Sequence, residues 1–314
     1  MYSDGEGVDQ DQKEAFRLFK LSADQGNEHA QNDLGIAYEN GEGVKKDFGE
    51  AIQFYRLSAE QGNYDAQHNL GRMYYHGHGV KENKKEACRW LELAAEQGQE
   101  DSQLSVGYYY LLGEFGIEKN IVKAIKFLKM AAEQENVMAQ AALGGIYSEP
   151  QEGFQRDDKE SYKWYKLAAE QGNAIAQYSL GAMYETGAGV YRDDKEAFKW
   201  YKLSAEQGDE DGQVNLGIFY ATGKVVKKDK KEALRLFQLA AEKGSEDALN
   251  NIDVLSQEIL PEKYEEAHTY FRLRKNLDNE GFNRIFIVKE YIKPKKSIGN
   301  IRWWKDESVK LDDF

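Results

Sequence analysis

The sequence predicts an all-α solenoid of antiparallel helix pairs, and three regularities carry that expectation. Seven near-copies of the phrase Ala-Glu-Gln-Gly end at Gly26, Gly62, Gly98, Glu135, Gly172, Gly208 and Gly244, in steps of 36 or 37 residues. An Asp or Asn stands fifteen residues before the end of each phrase, and an apolar stripe of helical period runs between the two. A period of this length marks a stack of equal units, each touching only its neighbours, and it overrides the two or three domains that 314 residues would otherwise suggest.

Within each unit the first helix opens at Asp11, Asp47, Asn83, Asn120, Asp157, Asp193 or Asp229. Such side chains accept hydrogen bonds from the free N–H groups of a first turn. A Glu follows three residues later in six of the seven, Lys123 being the exception, which reads as a capping box with the Glu reaching back. The buried stripe then recurs as Ala51, Phe54, Tyr55, Ser58, Ala59 and as Ala197, Trp200, Tyr201, Ser204, Ala205. The closing Gly supplies a left-handed residue that ends the helix. Where Glu135 replaces it, neighbouring Asn136 is expected to take the left-handed conformation.

The second helix reads Ala66-Gln67-x-x-Leu70-Gly71-x-Met73-Tyr74 and runs into the turn Gly77-His78-Gly79-Val80. Gly35, Gly71, Gly107, Gly144, Gly181 and Gly217 share one register position in it. Each costs about 1 kcal/mol against Ala inside a helix, so their recurrence predicts close backbone approach. Two turns depart from the pattern, at Gly113-Glu114-Phe115-Gly116 and at Glu149–Gly153, which makes the centre of the array irregular.

Composition excludes several functions. A formal charge of −13 and a pI near 5.1 disfavour nucleic acid, whose binding rests on Lys and Arg neutralising phosphates. Cys88 is the single cysteine and has no internal partner, which favours a reducing, cytoplasmic compartment. No stretch approaches the roughly 20 apolar residues of a bilayer span, and no charged-then-apolar leader opens the chain. Met1-Tyr2 matches Met73-Tyr74 and Met183-Tyr184, so the chain is expected to begin in the middle of a unit.

Ala-x-x-x-Leu-Gly-x-x-Tyr-x-x-Gly-x-Gly-Val, followed by Asp-x-x-x-Ala-x-x-Trp-Tyr-x-x-Ala-Ala-x-x-Gly, resembles the Sel-1-like repeat, a relative of the tetratricopeptide repeat, over about residues 1–253. The resemblance implies a right-handed superhelix of helix pairs and an adaptor or scaffold role in protein complexes, with no common catalytic residue and no cofactor. A cysteine-rich branch of the family carries disulfides within its repeats and binds penicillin weakly; one cysteine provides no such bridges. Domain organisation follows: a partial repeat at 1–26, the repeat solenoid at 27–253, a degenerate capping repeat at 254–280 and a basic-aromatic tail at 281–314. In the capping repeat Arg274-Lys275 replace two small residues, a change that would reject a further unit.

Comparing the copies locates a candidate partner site. Register positions counted from the phrase-ending residue fall into two faces of the second helix: 4, 5, 8, 9, 11 and 12 recur, whereas 3, 6, 7, 10, 13 and 14 vary. Related helical repeats line their concave surface with this helix, so the varying face is the expected groove. Its central rows are Leu104, Tyr108, Leu111; Ala141, Gly145, Ser148; and Tyr178, Ala182, Glu185. Small residues between Leu and Tyr describe a dent for a peptide or helix of a partner protein; padding between neighbouring helices is the alternative.

Signals of catalysis are sparse. His68 and His76 lie eight helical residues apart, about 12 Å, too far to share one ion, and Gly187-Ala188-Gly189 lacks the strand and glycine spacing of a phosphate loop. An adaptor is therefore expected rather than an enzyme, with no metal. Two other readings remain open: a weak β-lactam hydrolase of the cysteine-rich kind, and a lipid-surface tether. The tether would use Val288–Lys296 and Arg302-Trp303-Trp304-Lys305, the only part of the chain expected to meet a membrane.

Overall fold

The computed structural model describes residues 11–113, 116–150 and 153–259, and the regular elements among them are fourteen helices. The chain divides into two compact units, 1–193 and 194–314. The first holds α1 (Gln12–Ala23), α2 (Glu28–Asn40), α3 (Phe48–Glu60), α4 (Tyr64–His76), α5 (Lys84–Glu96), α6 (Glu100–Leu112), α7 (Ile121–Glu133), α8 (Val137–Ser148), α9 (Asp158–Glu170) and α10 (Ala174–Thr186). The second holds α11 (Asp194–Glu206), α12 (Glu210–Thr222), α13 (Lys230–Glu242) and α14 (Glu246–Ile259). In both units each helix packs chiefly on the one before and the one after it, so the chain is an all-α solenoid of helix pairs. Residues 1–10 of the partial repeat, the capping repeat beyond 259 and the tail 281–314 lie outside the described residues, as do 114–115 and 151–152 in the two unusual turns.

Odd-numbered helices start on the acceptors the sequence marks. Asp11 Oδ1 accepts from the N–H groups of Lys13 and Glu14 at 3.0 and 3.1 Å, and Asp47, Asn83, Asn120, Asp157 and Asp229 likewise accept from their own first turns. The reciprocal half of the capping box is replaced by a tertiary bond. The N–H of Asp47, Asn83, Asn120, Asp157 and Asp229 donates, at 2.8 to 2.9 Å, to the carbonyl of Tyr38, Tyr74, Tyr110, Tyr147 and Tyr220 in the preceding even-numbered helix. With that donor satisfied, the Glu side chain turns forward instead, as from Glu86 to Arg89 at 3.4 Å and from Glu232 to Arg235 at 2.6 Å.

The left-handed residues also fall where expected, with one correction. Gly26, Gly62, Gly98, Gly172, Gly208 and Gly244 have φ between +87 and +105°. In the fourth repeat Glu135 itself takes φ +68°, the only described non-glycine residue to do so. Asn136 stays extended, at φ −62 and ψ 111°, because its side chain is needed to cap α8 through the N–H of Ala139.

Even-numbered helices press their shared glycine onto the ring or branched chain of the next odd-numbered helix. A Cβ added at Gly35, Gly71, Gly107 or Gly144 would stand 2.4 to 2.7 Å from Tyr55, Leu91, Leu128 or Tyr165, and one at Gly217 would stand 2.5 Å from Phe237. The Gln of the repeated phrase then links unit to unit. Gln61, Gln97, Gln134 and Gln171 donate to the buried Oε1 of Gln31, Gln67, Gln103 and Gln140 one repeat earlier, at 2.6 to 2.8 Å. Those glutamines in turn donate to the carbonyls of Ala23, Ala59, Ala95 and Ala132. The ladder breaks in the second unit, where Lys243 occupies the Gln position and bonds the Gly208 carbonyl. Gln213 Oε1 is left buried without a hydrogen-bond partner.

Candidate partner-binding face

The candidate residues sit on three even-numbered helices of the first unit. Each helix starts on an Asn or Gln cap, and α6 and α8 are also fixed from behind by the close glycine and the glutamine ladder. Anchoring one face so firmly leaves the other free to vary. Leu104, Tyr108 and Leu111 of α6, Ala141, Gly145 and Ser148 of α8, and Tyr178, Ala182 and Glu185 of α10 are all half-buried, neither sealed nor fully in solvent. Leu104, Tyr108 and Leu111 rest on the cluster formed by Ile121, Leu128, Leu143, Ile146 and Trp164, so part of each side chain does pad the neighbouring helices.

Two adjacent glycines on α8 divide the labour. Gly144 admits Tyr165 so closely that a Cβ would lie 2.5 Å from the ring, whereas a Cβ at Gly145 would meet nothing nearer than the Tyr165 hydroxyl at 3.4 Å. The first is required by stacking; the second leaves room. Ser148 Oγ is turned back onto the Gly145 carbonyl at 2.8 Å, which keeps the α8 row low. Burial raises the Tyr108 phenol above its ordinary value, and the ring therefore acts as an apolar wall that carries a neutral hydroxyl.

Three further side chains extend this face. Leu112, Met138 and Ile175 each expose half or more of their surface. They occupy positions 14, 3 and 3 of the varying set, where other repeats carry His76, Asp65 and Asp101. Reading only the central rows passed over them; comparing side-chain size at every varying position finds them. Toward α2 and α4 the same face becomes polar. Tyr55 donates to Glu39 at 2.6 Å, Arg72 lies 3.4 Å from the same carboxylate, and Asn69 donates to Asn32 at 3.1 Å.

Nothing in this arrangement converges on a reacting atom. His68 Nδ1 is 2.8 Å from Ser102 Oγ, and burial lowers its pKa. His76 stacks on His78 with ring centroids 5.3 Å apart, and no group of three metal-ligating side chains occurs among the described residues. Cys88 is buried and its thiol is pushed up to about 12, which removes the thiolate as a nucleophile near neutrality. No helix of the described residues is long and apolar enough to cross a membrane.

Comparison with known proteins agrees with this architecture. The Sel1 repeat model matches at residues 1–27, 28–63, 65–99, 100–136, 137–173, 174–209 and 210–245. Among solved structures, a protective antigen of uropathogenic Escherichia coli strains, described as displaying an SLR fold, is 34% identical with a TM-score of 0.77 over 84% of this chain. The chain spans only 56% of that antigen's length. A Sel1 repeat protein from Oxalobacter formigenes is 33% identical with a TM-score of 0.61, over 70% of this chain and 89% of its own. No curated protein gives a significant match. The chain belongs to the Sel1 repeat family, whose members generally serve as non-catalytic scaffolds for protein–protein interaction.

Proposed function

We propose that the first unit holds a helix or extended peptide of a partner protein across α6, α8 and α10. The observation that carries this reading is the low row on α8: a Cβ at Gly145 would only touch the Tyr165 hydroxyl, at 3.4 Å, where one at Gly144 would lie 2.5 Å from that ring, and Leu104, Tyr108 and Tyr178 stand on the rows to either side. Exposed Leu112, Met138 and Ile175 widen the apolar area. Burying three or four such side chains against a partner contributes about 1.5–3 kcal/mol each, enough for specific docking after the cost of association. A bulky anchor seated over Gly145 is the expected central contact.

The test is crosslinking-coupled capture with the intact chain, compared with Gly145→Leu and with Tyr108→Ala/Tyr178→Ala. Gly145→Leu fills the dent while improving helix propensity, so it separates loss of the site from loss of the fold. Capture of the same proteins by both variants, with unchanged circular dichroism, rules the site out.

A further inference from the structure

The odd-numbered helices repeat one feature that the groove does not use and that stacking uses only in part, through Met130 on the cluster around Leu91 and Phe127. Five residues before the end of each phrase stand Leu21, Leu57, Leu93, Met130 and Leu167 in the first unit. Met130 is half-buried, but the four leucines leave 39 to 49% of their surface in solvent. Single exposed leucines need no explanation; the same leucine exposed at the same register on successive helices makes a row.

Charges flank this row unequally. Four residues before it in the helix, about 6 Å toward the N-terminus, lie Arg17, Arg89, Lys126 and Lys163, with Gln53 in the second repeat. Three residues after it, about 4.5 Å toward the C-terminus, lie Asp24, Glu60, Glu96, Glu133 and Glu170. Three of the bases are already drawn to acids behind them, Arg17 to Glu14 at 2.7 Å, Arg89 to Glu86 at 3.4 Å and Lys163 to Glu160 at 3.8 Å, whereas Lys126 pairs with Glu96 of the acidic stripe one repeat earlier at 3.1 Å. Asp24, Glu60 and Glu133 make no ion pair among the described residues. The surface is thus a basic stripe, a leucine row and an acidic stripe, side by side.

We propose that this outer surface of the first unit pairs with the same surface of a second copy of the chain, about a two-fold axis that runs along the leucine row. The charge order selects both the occupant and the axis. Rotation about the row brings each leucine to its counterpart and lays the basic stripe of one copy over the acidic stripe of the other. Rotation about an axis parallel to the helices would set base on base and acid on acid, which is disfavoured. The two copies therefore run in the same N-to-C direction, with Arg89 over the partner's Glu96 and Lys126 over the partner's Glu133. Exchanging intramolecular for intermolecular ion pairs costs little, because exposed pairs contribute little. The apolar row supplies the attraction and the stripes supply the register.

Sedimentation equilibrium of the intact chain over a range of concentrations tests this, with circular dichroism to confirm the fold of each variant. The wild type is expected to shift reversibly from one to two copies. Leu57→Glu/Leu93→Glu is expected to weaken pairing at least about tenfold. Arg89→Glu/Lys126→Glu and Glu96→Lys/Glu133→Lys should each remain single alone and pair when mixed. A wild type that stays single throughout, leucine variants that pair as well as wild type, or charge variants whose mixture does not pair each overturns the proposal. None of these substitutions touches the groove, so the outcome is independent of partner capture there.

Discussion

At the scale of the residue, Glu135 shows what one substitution in a repeat leaves behind. A side chain held at φ +68° where six sister positions have glycine is strained by about 1–2 kcal/mol. Glu135→Gly removes that strain and adds the flexibility of glycine to the unfolded chain, so a net gain of about 0.5–1 kcal/mol is expected in chemical unfolding. Glu135→Ala keeps the strain and should give no gain. His68 sets a pH dependence of definite sign. Burial lowers its pKa, with Arg72 acting in the same direction and Asp101 and Asp65 opposing. The unfolded chain therefore takes up the proton first. Stability from the neutral ring is complete above the unfolded value of about 6.5 and is lost as pH falls from there toward the lowered folded value. Melting temperatures on either side of that window should differ more for the wild type than for His68→Gln; equal differences would place the buried ring elsewhere in the balance.

At the scale of the element, the helices and their order were legible because each is specified by several local signals that agree: an acceptor at the start, a stripe of helical period and a glycine at the end. What was not legible lies between elements. The Glu three residues after each cap reads as half of a capping box, yet the cap N–H is taken by a Tyr carbonyl from the preceding helix, a bond that no local pattern announces. The same holds for the Gln of the repeated phrase, whose recurrence was visible but whose partner, a buried Gln one repeat earlier, is a tertiary fact. That ladder predicts the effect of repairing its break. Lys243→Gln should give Gln213 Oε1 a donor and raise stability by about 1 kcal/mol, whereas Lys243→Ala should not. The glycines of α8 give a sharper contrast. Gly144→Ala forces a Cβ into the Tyr165 ring and should cost about 1–3 kcal/mol. Gly145→Ala makes only a van der Waals contact with the Tyr165 hydroxyl and should gain up to about 1 kcal/mol from helix propensity. Equal effects at the two positions would remove the physical basis of the groove.

At the scale of the whole molecule, the candidate site was only partly legible, because recurrence reveals what stacking requires and is silent about what a partner requires. The nine central residues were found as the complement of the recurring face, and Leu112, Met138 and Ile175 were missed because their positions are charged or polar in other repeats. The same separation implies that stability and recognition are modular. In the first unit each helix packs chiefly on its sequence neighbours, so removing α4 and α5 as a pair leaves α6 an equivalent neighbour in α3, at the loss of the side-chain bonds from Tyr110 and Lys123 to Glu92. Removing residues 63–98 excises one full period and joins Gly62 to Gln99, the residue that already caps α6 through the Ser102 N–H. Gly107 keeps Leu128 as its partner, and Gln103 keeps its bond from Gln134 while its own amide finds the Ala59 carbonyl in place of that of Ala95. The shortened chain is expected to retain its helical signal per residue and to bind its partner unchanged, with a lower melting temperature because one repeat interface is gone. Loss of helicity far beyond the excised residues would mean that the repeats are held by contacts longer in range than the stacking described.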